Sequence, residues 1–258
     1  MLRVLMRLQL IRSATLRLRF GGQTFLIDPW FARRGEGLSY AGERPSPLCD
    51  LPLPLPDILD GVDAVIVSHL HSDHFDDAAR SVLPRQVPVL CAARDASAIR
   101  QFGFKRVTGI ETELEFGGVH IRLTAGRHGP DEVLPEMGEA SGFLFRAADE
   151  PVLYWAGDTV LCEQVRDVIL NAHPEVIVVH ACGAEWKGYG PLVMDEQMTE
   201  SVLRLAHGAN VVATHLDSVD HATSSRESLK AYFARVPEVA SRLCIPDDGE
   251  TIAFPEKA

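Results

Sequence analysis

The sequence predicts an α/β fold, a four-layered αββα sandwich in which two mixed β-sheets pack face to face and helices cover their outer faces. Three observations lead there. Each half of the 258-residue chain opens on a Gly-Gly hairpin; each hairpin is followed by apolar runs alternating with helix-like segments; and no fixed-period repeat overrides that plan. With 46% apolar residues the chain can bury one sizeable core, so residues 1–258 are expected to form a single domain.

The elements follow in order. Residues 15–20 and 23–27 flank Gly21-Gly22, and the alternation of Leu16 and Leu18 with Arg17 and Arg19 puts the arginines on a solvent face. Residues 28–61 are Pro-rich and aperiodic, and are expected to cross the surface as a long loop without a helix. Residues 62–68 read as a buried strand, 76–83 as a short helix with acidic residues in its first turn, and 88–91 as a strand followed by a helix through Ile99 and Phe102. Gly117-Gly118 joins strands at 113–116 and 119–124. Strands at 142–146, 152–156, 176–179, 210–213 and 242–245 then alternate with helices at 163–170, 195–206 and 225–233.

Composition narrows the function. A formal charge of −11 repels polyanions and argues against a nucleic-acid partner. Five scattered cysteines with no C-x-x-C pair read as free thiols of a reducing compartment. Arg3, Arg7 and Arg12 interrupt the N-terminal apolar run before it reaches signal-peptide length, and no later run is long enough to span a bilayer. The expectation is a cytoplasmic protein without a membrane span, with self-association left open.

The chemistry concentrates in Ser68-His69-Leu70-His71-Ser72-Asp73-His74, an H-x-H-x-D-H motif at the end of a buried strand. Four ligand-type side chains so close together cannot all be buried cheaply without a cation. In extended chain His69 and His71 point the same way, while a turn after Asp73 swings Asp73 and His74 toward a neighbouring point, which suits two metal ions side by side. Two coordination shells need more ligands than one loop supplies. His128, Asp158 and His215 each follow an apolar run, where a sheet delivers side chains to a common edge, and the Asp158 carboxylate is placed to bridge both ions.

These segments resemble the metallo-β-lactamase superfamily of metallohydrolases. The resemblance runs from Ile27-Asp28-Pro29 through H-x-H-x-D-H, the His128 segment and Gly157-Asp158-Thr159 to Thr214-His215-Leu216-Asp217. Within the superfamily it is most similar to the branch of ascorbate-6-phosphate lactonase and N-acyl-phosphatidylethanolamine phospholipase D. The resemblance implies one metal on His69, His71 and His128, a second on Asp73, His74 and His215, and Asp158 between them. Two segments depart from that branch, Arg12-Ser13-Ala14-Thr15 and Val179-His180-Ala181-Cys182-Gly183, and both bear on the substrate rather than the metals.

The implied reaction is hydrolysis of a small ester, lactone or phosphoester by a hydroxide bridging two divalent ions. Asp73 or a metal-bound water would protonate the leaving group, and Asp158 would hold both ions. Imidazole and carboxylate ligands favour zinc first, with manganese or iron as alternatives. A nuclease or phosphodiesterase of the same fold, and a non-hydrolytic iron redox or metal-binding protein, are the competing readings. Asp28, Thr159 and Asp217 are candidate partners of the ligands. His180 and His221, each after a strand, are candidates for substrate contact or proton handling, against purely structural roles. Trp30, Trp186 and Tyr189, with the loop residues Phe31, Arg33, Arg34, Tyr40, Arg44 and Lys187, are expected on a pocket rim that would take a small, anionic or amphipathic substrate. His120 is expected on a solvent-facing strand position, His173 and His207 at helix ends, and Cys182 as a buried free thiol.

Overall fold

Apolar and polar residues alternate along the N-terminal strands, and the pairing of those strands builds the first sheet. The computed structural model describes residues 4–255; Arg3 and both ends of the expected 1–258 domain lie outside the described residues. The strands are β1 (Val4–Arg12), β2 (Thr15–Phe20), β3 (Gln23–Ile27), β4 (Ala64–Val67), β5 (Pro88–Ala92), β6 (Arg106–Ile110) and β7 (Glu113–Phe116), then β8 (Val119–Ala125), β9 (Ser141–Arg146), β10 (Leu153–Trp155), β11 (Val176–His180), β12 (Asn210–Thr214), β13 (Leu243–Cys244) and β14 (Thr251–Pro255). They form two seven-stranded sheets, ordered β14-β1-β2-β3-β4-β5-β6 and β13-β12-β11-β10-β9-β8-β7. Each sheet is antiparallel in its hairpin part and parallel from β3 to β6 or from β10 to β13.

The helices are α1 (Leu55–Leu59), α2 (Asp77–Val82), α3 (Ala96–Gln101), α4 (Leu134–Met137), α5 (Glu163–Ala172), α6 (Glu196–Leu205), α7 (Arg226–Phe233) and α8 (Pro237–Ala240). Side chains on the facing sides of the sheets, among them Leu18, Phe25, Ile66, Phe143, Trp155 and Val212, make the central apolar layer. The opposite faces of the parallel strands are apolar too: Leu26, Val65 and Val89 pack under α1 to α3, and Ile177, Val179 and Val211 under α5 to α8. Burial on both faces explains why these strands read as continuous apolar runs. The αββα sandwich is therefore the architecture found.

Both Gly-Gly pairs turn hairpins, with φ of +56° and +78° at Gly21 and Gly22, the left-handed geometry that matches the strand twist. Arg19 is exposed and Arg17 half-buried, with Leu16 and Leu18 beneath them in the core. His120 pairs with Glu113 at 3.2 Å on the open side of the β7–β8 hairpin, and His173 closes α5 in the left-handed conformation. All five cysteines are free.

Some elements differ from the sequence reading. Residues 28–61 contain α1, whose Pro56 lies in the first turn, where a missing N–H costs nothing. Strands β1, β6 and β14 were not anticipated, and 242–245 shortens to Leu243–Cys244. Among the described residues no helix is long and apolar enough to cross a membrane.

Candidate metal centre

Every ligand-type residue of interest sits at or soon after the C-terminal end of a strand. His69 to His74 follow β4, His128 follows β8, Asp158 follows β10, His180 ends β11 and His215 follows β12. Open sheets deliver side chains to that edge, so residues far apart in sequence meet there.

Among the described residues three groups of donor atoms result, each with all members within 4.8 Å of one another: His69, His71, His128 and Asp158; His74, Asp158, His180 and His215; and Asp28, His69 and His74. Asp158 belongs to the first two. Its Oδ2 lies 3.2 Å from His74 Nε2, 3.4 Å from His128 Nε2 and 3.8 Å from His69 Nε2. Asp73 Oδ2 lies 3.5 Å from His215 Nε2 and 4.0 Å from His74 Nε2, joining the second group from the side. Ligands 2.0–2.2 Å from a shared tetrahedral ion would stand about 3.3–3.6 Å apart, which matches this spacing.

The outer nitrogens show why the inner ones are free. Asp28 Oδ2 accepts from His74 Nδ1 at 2.7 Å and from the Ser68 hydroxyl at 2.7 Å, while Asp28 Oδ1 accepts from Ser68 N at 2.8 Å. With its proton given to Asp28, the Ser68 oxygen takes the Nδ1–H of His69 at 2.8 Å. His128 Nδ1 donates to the Leu192 carbonyl at 3.0 Å. In each ring the Nε2 lone pair is thereby turned inward, the tautomer a metal requires. The Nε2 atoms of His69, His74, His180 and His215 are buried without a hydrogen-bond partner. Buried, unpaired nitrogens are costly unless a cation takes them, so the donor set fits a bound metal.

Electrostatics agree. Burial opposes charge on His74, but Asp158, Asp28 and Asp73 outweigh it and push its pKa up to about 10. Burial likewise opposes charge on His215, yet nearby Cys182, Asp73 and Asp158 raise it well above the ordinary value. Burial favours the neutral form of Asp158, but His74, His180 and His128 hold it well below the usual carboxylate range. Around His69, burial dominates and the neighbouring imidazoles add to it, lowering its pKa strongly.

The sequence-derived candidates part company here. His180 is fully buried, its Nδ1 2.5 Å from Asp158 Oδ1; burial lowers its pKa to about 4, and it does not line the cavity that opens onto these residues, while one of its nitrogens stays within the His74, Asp158 and His215 group. Thr159 ties the two ligand loops together, accepting from Arg127 N and donating to the Val160 carbonyl, both at 2.8 Å, without touching a ligand side chain. Asp217 pairs with Arg226 at 3.0 Å and touches no ligand imidazole, because its left-handed backbone, φ +59°, turns it toward α7. Trp30 is no rim residue: it is 2% exposed under the Arg12 guanidinium, which donates to the Trp30, Ala32 and Cys49 carbonyls. Arg12 thus fills its departure from the branch pattern with a structural clamp. Tyr189 is half-exposed and lies outside the cavity over the His and Asp cluster.

That cavity, about 440 Å³, opens onto His71, Asp73, His128, Asp158 and His215. Its walls are Leu38, Tyr40, Leu70, Met137, Trp186, Leu192, Val193 and His221, with Glu136 at one side. No lysine or arginine lines it among the described residues; to the expected anionic or amphipathic substrate the walls offer an apolar surface rather than a cationic side chain, and Lys187 lies 3.6 Å over the Trp186 ring without joining the lining. Ser68, the Leu192 carbonyl and the α4 wall were missed by sequence reasoning. Only Ser68, adjacent to His69, carried a signal that could have found it.

Comparison with known proteins gives a consistent picture. Residues 23–216 match the family model described as a beta-lactamase superfamily domain. The UPF0173 protein YddR of Bacillus subtilis is 37% identical over 255 residues, covering 96% of this chain and 100% of YddR. The crystal structure of a possible metal-dependent hydrolase from Veillonella parvula superposes with a TM-score of 0.93 at 33% identity, covering 98% of this chain and 100% of that one. An isothiocyanate hydrolase from Delia radicum gut bacteria superposes with a TM-score of 0.91 at 35% identity, covering 97% and 100%. With the fold, the ligand set and these relatives in agreement, the chain belongs to the metallo-β-lactamase superfamily, within its UPF0173 family of metal-dependent hydrolases.

Proposed function

We propose that the protein is a binuclear metal-dependent hydrolase of small, neutral, apolar molecules carrying an electrophilic carbon, with isothiocyanates as the first candidates and uncharged esters or lactones as the second. The observation that carries this reading is the cavity: largely apolar walls with no lysine or arginine among the described residues, and a floor of candidate metal ligands. Likeness to the isothiocyanate hydrolase over its whole length supports it. A phosphoester, or the phosphate-bearing substrates that the lactonase and phospholipase branch suggests, would have only the two ions, and no lysine or arginine of the described walls, to meet its charge, which ranks it behind neutral substrates.

His69, His71 and His128 would hold one ion and Asp73, His74 and His215 the other, with Asp158 between; zinc is favoured, and manganese or iron fits the same donors. When bound, the two ions supply Lewis acidity that lowers the pKa of solvent at the site and stabilises negative charge on the substrate. The chain's residues do the remainder. Leu38, Leu70, Trp186 and Leu192 hold the apolar group and exclude water. Asp73 faces the cavity, and either it or solvent held at the site would pass a proton to the leaving atom. His180 keeps Asp158 oriented through its Nδ1–H. For an isothiocyanate, water adds across the C=N bond, and C–N cleavage then gives an amine and carbonyl sulfide, both water protons ending on nitrogen.

The test is hydrolysis of phenethyl isothiocyanate, phenyl acetate and bis(4-nitrophenyl) phosphate by protein stripped with chelator and reloaded with zinc or manganese. Expected is metal-dependent turnover of the isothiocyanate or the ester, with the phosphodiester far slower. Preference for the phosphodiester would contradict the reading.

A further inference from the structure

Two of the cavity's wall residues, Leu38 and Tyr40, stand on an arch, residues 37–46, that has no helix or strand to hold it. Backbone bonds close only its base: Gly37 N to the Ser46 carbonyl at 2.7 Å, Ser46 N to the Leu38 carbonyl at 2.8 Å and, just beyond, Leu48 N to the Ser218 carbonyl at 2.9 Å. The crown is held differently. Asp220 Oδ1 accepts from Tyr40 N at 2.8 Å and Ala41 N at 3.1 Å, and Oδ2 from the Ser39 hydroxyl at 2.6 Å, Glu43 N at 3.2 Å and Arg44 N at 3.1 Å. Five donors crowd the roughly four lone-pair sites of one ionised carboxylate, and a carboxylate makes such bonds stronger than a neutral acceptor does.

The same carboxylate belongs to the metal-site loop. Asp220 lies on the segment that follows β12 and carries His215, and its neighbour His221 packs its ring 4.9 Å from the Tyr40 ring. Tyr40 reaches on to Ser72, hydroxyl to hydroxyl at 2.7 Å, between His71 and Asp73. Asp220 itself does not line the cavity.

We propose that Asp220 is a positioning residue that seats the 37–46 arch as one wall of the cavity, and that this wall selects substrates by the bulk of their apolar group. The seating stands on geometry alone; the selectivity rests on the hydrolase reading above. Partial burial works against ionisation of Asp220, but the Ser39 hydroxyl and the amides of Arg44, Ala41 and Tyr40 hold its carboxyl below the usual range, so the clamp is charged at neutral pH. With the clamp released, a bulky substrate loses its contacts with Leu38 and Tyr40, while a small one bound against the metal-ligand floor keeps nearly all of its own.

The experiment compares wild type, Asp220→Ala and Asp220→Asn by metal content, by hydrogen exchange of the Tyr40, Ala41, Glu43 and Arg44 amides, and by steady-state kinetics on methyl and phenethyl isothiocyanate. Expected in Asp220→Ala are unchanged metal content, faster exchange at those amides, and a KM for the phenethyl compound raised about tenfold or more through lost apolar contact, with the methyl compound within about twofold. Asp220→Asn, keeping one carbonyl oxygen, should fall between, and it decides the matter if the alanine variant does not fold. Wild-type exchange rates, or equal loss on both substrates, would overturn the proposal. Should the wild type hydrolyse neither compound, the hydrolase reading of this substrate class has failed, and exchange together with binding of the neutral dye Nile red decides the arch. Weakened dye binding with faster exchange supports the seating, and unchanged binding overturns it.

Discussion

The His74 imidazole is gripped by Asp28 through one nitrogen and turned toward Asp158 through the other. The carboxylates around it push its pKa up to about 10 against the opposing effect of burial, and His215 is raised as well. A raised pKa means the proton is held at neutral pH, whereas a metal needs the lone pair, so cations and protons compete for these two rings. Zinc uptake at pH 7.5 should therefore release roughly one to two protons per chain, and affinity should climb as pH rises toward the pKa of His74. Calorimetric titration in buffers of different ionisation enthalpy reads the proton count, and binding with no proton release would contradict this picture. At this scale the sequence was informative where chemistry is compressed: H-x-H-x-D-H announces itself by spacing, and Asp28 by its place at a strand end. The Leu192 carbonyl that orients His128 left no trace, because a backbone acceptor has no sequence signature. For His180 the sequence leaves substrate contact and a structural role side by side, because a strand end promises the shared edge but does not say on which side of Asp158 the ring will lie.

Among the elements, the turn after β10 shows how tightly a ligand is placed. Gly157 has φ +71°, and a Cβ there would stand 2.5 Å from the Ser141 carbonyl and 2.9 Å from the Trp155 ring. Gly157→Ala should cost about 1–3 kcal/mol through backbone strain and contact. It should also displace Asp158 and lower metal retention. Thermal unfolding and metal analysis check both, and a variant with wild-type melting temperature and full metal would show that the turn is not needed. Strands buried on both faces, such as β4 and β11, were legible as apolar runs, and the hairpins from their Gly-Gly pairs. Strand β6 was not: four of its five residues keep some exposure, so it has little periodic signal and exists because β5 templates it. β14 is likewise an edge defined by its partner β1. Helix α1 was hidden by the prolines around it, although Pro56 sits where a helix accepts one.

The whole molecule is two matching half-structures, each a hairpin continued by parallel strands, packed so that loops from both sheets meet at one edge. Neither half alone holds the site: the first supplies Asp28 and His69 to His74, the second His128, Asp158, His180 and His215. That division explains why the candidate ligands could be gathered from sequence while the cavity could not. Ligands are fixed by strand ends, but the walls come from the Asp220-anchored arch, α4 and the segment around Trp186, whose packing depends on contacts between distant loops. The fold alone does not name a substrate. The central claim is that both halves share two cations through Asp158, and metal analysis of Asp158→Ala after exhaustive dialysis tests it most directly. The account predicts two ions per chain in the wild type and loss of affinity at both positions in the variant, with the fold intact by circular dichroism. An Asp158→Ala protein that keeps two ions at wild-type affinity would contradict it.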